Sequence, residues 1–300
     1  MQRTTKDLLN EIAVKIFPQD TRAYKFALMT FFYITHKLRL KPKKSLYVEF
    51  PLSGHCNQNC ISCGAFSPLS EKEFLNYSIF KKDIARLADI DIGHNLVKML
   101  IFTGGEPLLN PEIIKFIELA HQYFPNCVIN IQTNGILLGK MPEKFWTACK
   151  DNNVRFSLTN YPTLKESDIA AVIKKMNEYN LKFYFFGGKI KMMYKIPLDI
   201  NGGHNDFKIC HWANCNARLK NGSLYGCGYR AYINKLNEYF NLNFKVSNED
   251  RMNIYEVKGT DEISNFIANP TPFCHYCNIR EAIFGELCRE SARKLKEWIH

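Results

Sequence analysis

Leu46-Tyr47-Val48-Glu49-Phe50 runs on within a few residues into Cys56-Asn57-Gln58-Asn59-Cys60-Ile61-Ser62-Cys63, and the reading of this stretch decides the fold. The first five residues are mostly aliphatic, β-branched or aromatic, the side chains that suit a pleated, half-buried surface, so they read as a strand with the three cysteines on the loop after it. Downstream, residues 97–103, 127–132, 154–159 and 182–186 are further short apolar runs. Helical patterns separate them: Phe80, Ile84, Leu87 and Ile90; a helix opened by Pro111 with Ile113, Ile114 and Ile117 inward; residues 143–150; and Ile169, Val172, Ile173 and Met176 on one face. Strands alternating with amphipathic helices predict a parallel sheet with right-handed crossovers. The units are too few to close an eight-fold barrel, so the expected class is α/β, a partial (β/α)6-type open barrel.

Around this core, expected to cover residues 45–199, lie two flanks. Residues 1–44 read as a helical extension: Thr4 and Asp7 have capping-box spacing before Leu8, Leu9, Ile12 and Ile16, Pro18 ends the run, and a second helix follows from Asp20 to before Pro42. That basic, aromatic-rich helix could rest on a membrane surface. Packing across the main domain is the preferred reading, because its apolar stripe has no lipid-specific feature. Residues 200–300 lose the alternation, are loop-rich and cysteine-rich, and are expected to form a separate small domain or cap closed by a helix over residues 280–299.

The chain has 300 residues, a formal charge of +11 and eleven cysteines. The charge fits an anionic partner or, equally, a lysine-rich solvated surface. With no apolar signal core at the start, the chain reads as cytoplasmic, where thiols stay reduced and clustered cysteines serve as metal ligands.

Three thiolates on one tight loop can hold three irons of a cubane and leave the fourth open to a cosubstrate. A zinc knuckle is the alternative, but His55, directly adjacent to Cys56, is awkwardly placed as a fourth ligand. In the C-terminal region Cys210, Cys215, Cys227, Cys274 and Cys277 make a second set. Asn221-Gly222 predicts a hairpin that places Asn216 opposite Cys227, with Cys215 about one rung away. Cys274-x2-Cys277 comes from a distant loop. On residues alone, two hairpin thiols and a C-x2-C pair also describe a zinc ribbon.

The triplet C-x3-C-x2-C, the turn Thr103-Gly104-Gly105-Glu106-Pro107 after the second strand and Thr133-Asn134-Gly135 after the third resemble the radical S-adenosylmethionine (SAM) superfamily over roughly residues 45–190. The resemblance implies a 4Fe–4S cluster on Cys56, Cys60 and Cys63, with SAM chelating the open iron. SAM is then cleaved reductively to a 5′-deoxyadenosyl radical that abstracts hydrogen, with electrons from a flavodoxin or ferredoxin. It places Gly104, Gly105, Glu106 and Pro107 at the SAM methionine, with Glu106 orienting its ammonium, and puts Asn134 and Ser157 near the cofactor. Many members carry an aromatic residue where this chain has Ser62, and Phe66 is expected to cover the adenine instead.

The second set resembles the SPASM and twitch extensions of the superfamily, whose motif Cys210, Gly222 and Cys227 fit with Cys215 inserted. One auxiliary 4Fe–4S cluster is implied. Five cysteines for four positions leave one over, either a bystander or a hydrogen-atom donor to a substrate radical, with Cys210 the first candidate although the motif also makes it a ligand. Cys127, Cys149 and Cys288 read as core residues. The stretch 63–69, the Cys215 hairpin and Pro272-Phe273-Cys274-His275-Tyr276-Cys277 resemble a bacterial group associated with carbohydrate and polysaccharide biosynthesis. That implies epimerisation, dehydration or oxidation of an anionic sugar or nucleotide-sugar. Peptide modification is the alternative, zinc-stabilised RNA binding a remote one, and no nucleic-acid partner is expected.

Overall fold

A computed structural model describes residues 30, 45–93, 96–186, 192–210, 212–214 and 216–299. The two helices expected within residues 1–44, and Cys215, lie outside the described residues, apart from Thr30, which is helical.

Five strands and the four helices between them build the core in chain order: β1 (Leu46–Ser53), α1 (Tyr77–Ile90), β2 (Val97–Gly104), α2 (Ile113–Tyr123), β3 (Val128–Thr133), α3 (Glu143–Asp151), β4 (Val154–Thr159), α4 (Glu166–Glu178) and β5 (Lys182–Phe186). Asn76 starts α1 by accepting from the Ser78 and Ile79 amides at 2.9 and 3.2 Å, satisfying two of the donors a helix start leaves free. Phe80 on this helix is fully buried and meets Phe50 of β1 and Phe102 of β2 with ring centroids 4.9 and 6.0 Å away. Burial of one such ring stabilises by roughly 1.5–3 kcal/mol. The strands' alternate residues Val48, Phe50, Leu100, Phe102, Ile129, Ile131, Phe156 and Leu158 all belong to this helix-covered core.

The intervening residues make the other face of the sheet polar. Glu49 pairs with Arg218 at 2.9 Å and accepts from Asn216 at 2.7 Å. Asn130 accepts from Ser157 Oγ at 2.7 Å and from Arg155 Nε at 3.2 Å. Buried polar groups are retained where they are hydrogen-bonded, and these are.

The C-terminal region departs from the sequence reading in two ways. It contributes β6 (Met192–Lys195), β7 (Ala217–Lys220), β8 (Ser223–Tyr225), α5 (Gly228–Phe240), β9 (Met252–Asn253), α6 (Thr260–Ala268) and β10 (Ile283–Leu287). Instead of a detached unit, β7 pairs in parallel with β1 through Val48↔Ala217 and Glu49↔Arg218, giving one open eight-stranded sheet in the order β5-β4-β3-β2-β1-β7-β8-β9. The expected hairpin is present, with Asn221 and Gly222 both left-handed (φ 50° and 73°), as a two-residue hairpin turn requires. A second apolar cluster, including Phe66, Tyr229, Ile233, Phe273 and Trp298, lies under α5.

The helix expected over residues 280–299 is not formed. β10 pairs antiparallel with β6, Glu290 bridges Cys60, and only the short 3-10 turns Ile279–Glu281 and Leu295–Glu297 are helical. Pairing partners distant in sequence outweigh the local helix propensity of this charged segment.

Candidate functional site

The cysteine loop leaves the C-terminal end of β1, the edge at which sheets of this kind carry their sites. Its turns are tight: Asn59, Ser62 and Phe66 have φ of 50°, 55° and 52°. A left-handed residue other than glycine costs roughly 1–2 kcal/mol, so tertiary contacts must hold the loop. Two come from β2. The Gly105 amide donates to Ser53 O at 2.7 Å and the Glu106 amide to His55 O at 3.0 Å. A Cβ on Gly104 would stand 2.2 Å from Ser53 O, and one on Gly105 2.0 Å from His55 O. The glycine pair, expected to admit a ligand, is required by the approach of the cysteine loop itself.

Glu106 follows the glycine pair just beyond the end of β2. It is fully buried; Oε1 accepts from Thr133 Oγ1 at 2.6 Å and the Leu108 amide at 3.1 Å, and Oε2 from the Asn134 amide at 2.9 Å. It ties the ends of β2 and β3 together. Burial pushes its carboxyl up to about 7, against the lowering effect of these hydrogen bonds. Pro107 opens the following 3-10 turn, Pro107–Leu109. Asn134 reaches the cysteine loop: its Nδ2 donates to Asn57 Oδ1 at 2.7 Å and to Cys56 Sγ at 3.6 Å. Ser157 is fully buried on Asn130, and Phe66 is fully buried against Tyr229 and Trp298 with ring centroids 5.5 and 6.3 Å away. Both side chains are enclosed by the protein in this structure.

Cys56, Cys60 and Cys63 come together on this loop. Burial pushes the Cys56 thiol up to about 11, with Glu106 and Cys63 adding to the shift. Cys60 is raised further, by burial and then by Cys63, Cys288 and Cys56. Thiols that oppose one another's ionisation need a compensating cation before they become thiolates, and soft sulfur donors suit iron. The donor set therefore fits an iron–sulfur cluster. Among the described residues no three His, Cys, Asp or Glu side chains converge on a single-ion site.

Several groups around the loop were not legible in the sequence. The Tyr161 hydroxyl lies beside Cys60. Lys235 Nζ donates to Gly54 O at 2.9 Å and Ala65 O at 3.4 Å, spanning both ends of the loop. Burial and the neighbouring Lys220 push that ammonium down to about 8. The C-terminal segment closes over the loop: the Ile61 amide donates to Arg289 O at 3.0 Å, the Ser291 amide to Asn59 O at 2.7 Å, Ser62 Oγ to Glu297 O at 2.9 Å and Trp298 Nε1 to Cys63 O at 3.0 Å. This accounts for a small residue at 62, which is left-handed and 2% exposed. Cys288, expected in the core of a closing helix, is half-buried beside Cys60 on this segment. Cys127 and Cys149 are buried core residues.

The second set is also brought together. Cys210, Cys227, Cys274 and Cys277 line one cavity under α5. Cys210 follows a 3-10 turn, Cys227 precedes the first residue of α5, and Cys274 lies in the turn Pro272–Tyr276 with Cys277 immediately after it. Burial pushes Cys210 up to about 12, with Cys227 and Cys274 adding to it, and raises Cys277 with the other three contributing. Cys210 thus stands among these four.

Residues 50–184 match the family described as Radical SAM superfamily. Proteins named GTP 3′,8-cyclase are similar: that of Nautilia profundicola is 27% identical over 56% of this chain and 51% of its own length, and that of Clostridium acetobutylicum 32% identical over 58% and 53%. The chain thus spans about half the length of these curated relatives. The solved structure of BtrN in complex with AdoMet and 2-DOIA shares the fold, with a TM-score of 0.52 and 19% identity over 79% of this chain and 94% of that one. No helix among the described residues is long and apolar enough to cross a membrane. The cysteine loop, the glycine turn that seats it and strands β2 to β4 all lie within the residues that match the Radical SAM superfamily.

Proposed function

We propose that the protein holds a 4Fe–4S cluster on Cys56, Cys60 and Cys63 and acts with SAM on an anionic sugar or nucleotide-linked sugar. The observation that carries the reading is the grouping of these three thiols at the C-terminal edge of a parallel sheet. When bound, the cluster and SAM supply reductive carbon–sulfur cleavage and hydrogen-atom abstraction from unactivated carbon, with the electron from a flavodoxin or ferredoxin.

The chain's own groups bind and orient. The Ser53, His55, Gly105 and Glu106 backbone contacts fix the loop to β2, Asn134 fixes its first cysteine and Trp298 its last. The C-terminal segment covers the loop and restricts water around Cys60. A second 4Fe–4S cluster is assigned to Cys210, Cys227, Cys274 and Cys277, which supply four soft donors around one cavity.

Three observations support the substrate class. The net charge of +11 favours an anion. The sheet face opposite the helices is polar, with Glu49, Asn130 and Ser157 bonded within it and the half-buried cation of Arg155 beside them, which suits an anionic ligand. The similar cyclases are named for a nucleotide. Anaerobic incubation of reconstituted protein with SAM, dithionite and a panel of nucleotide sugars, read by mass spectrometry, tests the reading. The expected result is 5′-deoxyadenosine formation stimulated by at least one sugar nucleotide, with a matching mass change in that compound. Stimulation by a peptide alone would overturn the substrate class, and no 5′-deoxyadenosine from cluster-loaded protein would overturn the activity.

A further inference from the structure

The four-cysteine cavity is lined by a cation that no carboxylate neutralises directly. Arg230, on the first turn of α5, is 4% exposed. Its Nη1 donates to Thr271 Oγ1, its guanidinium carbon stands 5.8 Å from the Phe266 ring centroid, and its Nε is buried without a hydrogen-bond partner. The guanidinium lies close enough to Cys227 and Cys274 for their charges to act on it. Gly226 makes the room for it: a Cβ there would lie 2.2 Å from Nη2. Among the described residues no carboxylate comes within ion-pair distance of it. The buried Asp250 also acts on it, but that carboxylate already accepts from the Phe273 amide at 2.7 Å and from Ser247 N and Oγ at 2.8 and 2.9 Å.

An enclosed guanidinium without an anion is strongly unfavourable, so a fold that keeps one places negative charge beside it. Among the described residues lining the cavity, the groups able to supply that charge are the thiolates and what they bind. We propose that Arg230 is the resident counter-charge of the four-cysteine centre, donating N–H to its sulfur and raising its reduction potential. This rests on the reading of Cys210, Cys227, Cys274 and Cys277 as cluster ligands. Reduction adds an electron to a centre that four thiolates already make anionic. A fixed positive charge and a hydrogen bond at sulfur therefore favour the reduced form, the levers known to set such potentials.

The test uses the full-length chain with Cys56, Cys60 and Cys63 changed to alanine, so that only the second centre is loaded. Iron is counted first, with about four per chain expected from one cubane. Redox titration followed by electron paramagnetic resonance then compares this parent with Arg230→Gln and Gly226→Ala. At the parent's midpoint, Arg230→Gln should keep its iron and raise the oxidised-to-reduced ratio tenfold or more, about 59 mV for a one-electron couple. Gly226→Ala, which pushes the guanidinium aside without removing it, should shift the ratio the same way by less. In a parent enriched with 15N-arginine, pulsed resonance of the reduced centre should show coupling to a labelled nitrogen, a measurement that needs no substitution at 230.

A ratio within twofold of the parent in an iron-replete Arg230→Gln protein, or no labelled-nitrogen coupling, overturns the proposal while leaving the cluster in place. A parent that binds no iron, or binds zinc instead, overturns the cluster reading and this inference with it. The iron count distinguishes the two failures.

Discussion

Glu106 gives the sharpest test of how the site is built, because its fully enclosed carboxyl is held by three donors yet pushed up to about 7 from its ordinary value of 4.5. The folded protein therefore retains a proton that the unfolded chain has released between these two values. Stability falls as pH rises through that window, and the loss is complete above the folded value. A gap of about 2.5 units at 1.36 kcal/mol each makes this about 3 kcal/mol, of which about 2 kcal/mol falls between about pH 5.5 and about pH 8.5. Glu106→Gln abolishes the titration. Its amide oxygen can still accept from Thr133 and Leu108, but its NH2 would face the Asn134 amide, leaving a buried donor unsatisfied at about 1–3 kcal/mol. The variant should therefore be less stable than wild type by that amount at the acidic end and roughly level with it at the alkaline end. Anaerobic urea unfolding of SAM-free protein, followed by circular dichroism across the pH range, measures the difference. A stability gap that stays constant with pH would refute the argument that an ionisable, desolvated carboxyl ties β2 to β3.

Other consequences can be checked alongside it. Alanine at Cys56, Cys60 or Cys63 should abolish 5′-deoxyadenosine formation in each case; near-normal formation by any one of them would remove the cluster assignment. Reconstituted wild type should hold about eight irons per chain from two cubanes, and the triple alanine variant about half of that. Trp298→Phe keeps the apolar contact with Phe66 but loses the bond to Cys63 O. It should destabilise by about 0.5–1.5 kcal/mol and, by iron analysis and resonance spectra, lower occupancy of the first centre more than the second. Cys215→Ala should retain the second cluster and Cys210→Ala should lose it. The reverse pattern would return Cys210 to the role of free thiol and possible hydrogen donor.

The parallel core was legible because its signals are local. Residues 46–53, 97–104 and 154–159 are short apolar runs bounded by turn residues, and the helices between them keep a 3.6-residue stripe, so period alone separates the two. The hairpin was legible for a similar reason: Asn221-Gly222 admits the left-handed pair that a two-residue turn needs. Neither signal says which strand a new strand will join. β7 carries the alternation Ala217-Arg218-Leu219-Lys220, which any half-buried sheet edge would accept, and its place beside β1 is settled by Ala217 and Leu219 entering the main core while Arg218 meets Glu49. Those are contacts made across the chain.

The site shows the same division more sharply. The three cysteines could be read from their spacing, but the conformation of their loop depends on partners far away in sequence. Ser62 reaches Glu297 and Cys63 is held by Trp298, each across 235 positions, and Gly54 is bonded to Lys235 across 181. No window of sequence contains both members of such a pair, and a tryptophan near a chain's end reads as core until its indole N–H is seen on a carbonyl. The glycines of the Gly104-Gly105 turn were singled out for close approach to a ligand, and the atoms that approach them in the structure belong to Ser53 and His55. A motif records that backbone must come near without recording whose backbone it is. The residues that make this loop specific to this chain are therefore those the motif does not contain, Lys235, Trp298 and Tyr161 among them. Substitutions there should alter cluster occupancy while leaving every motif residue in place.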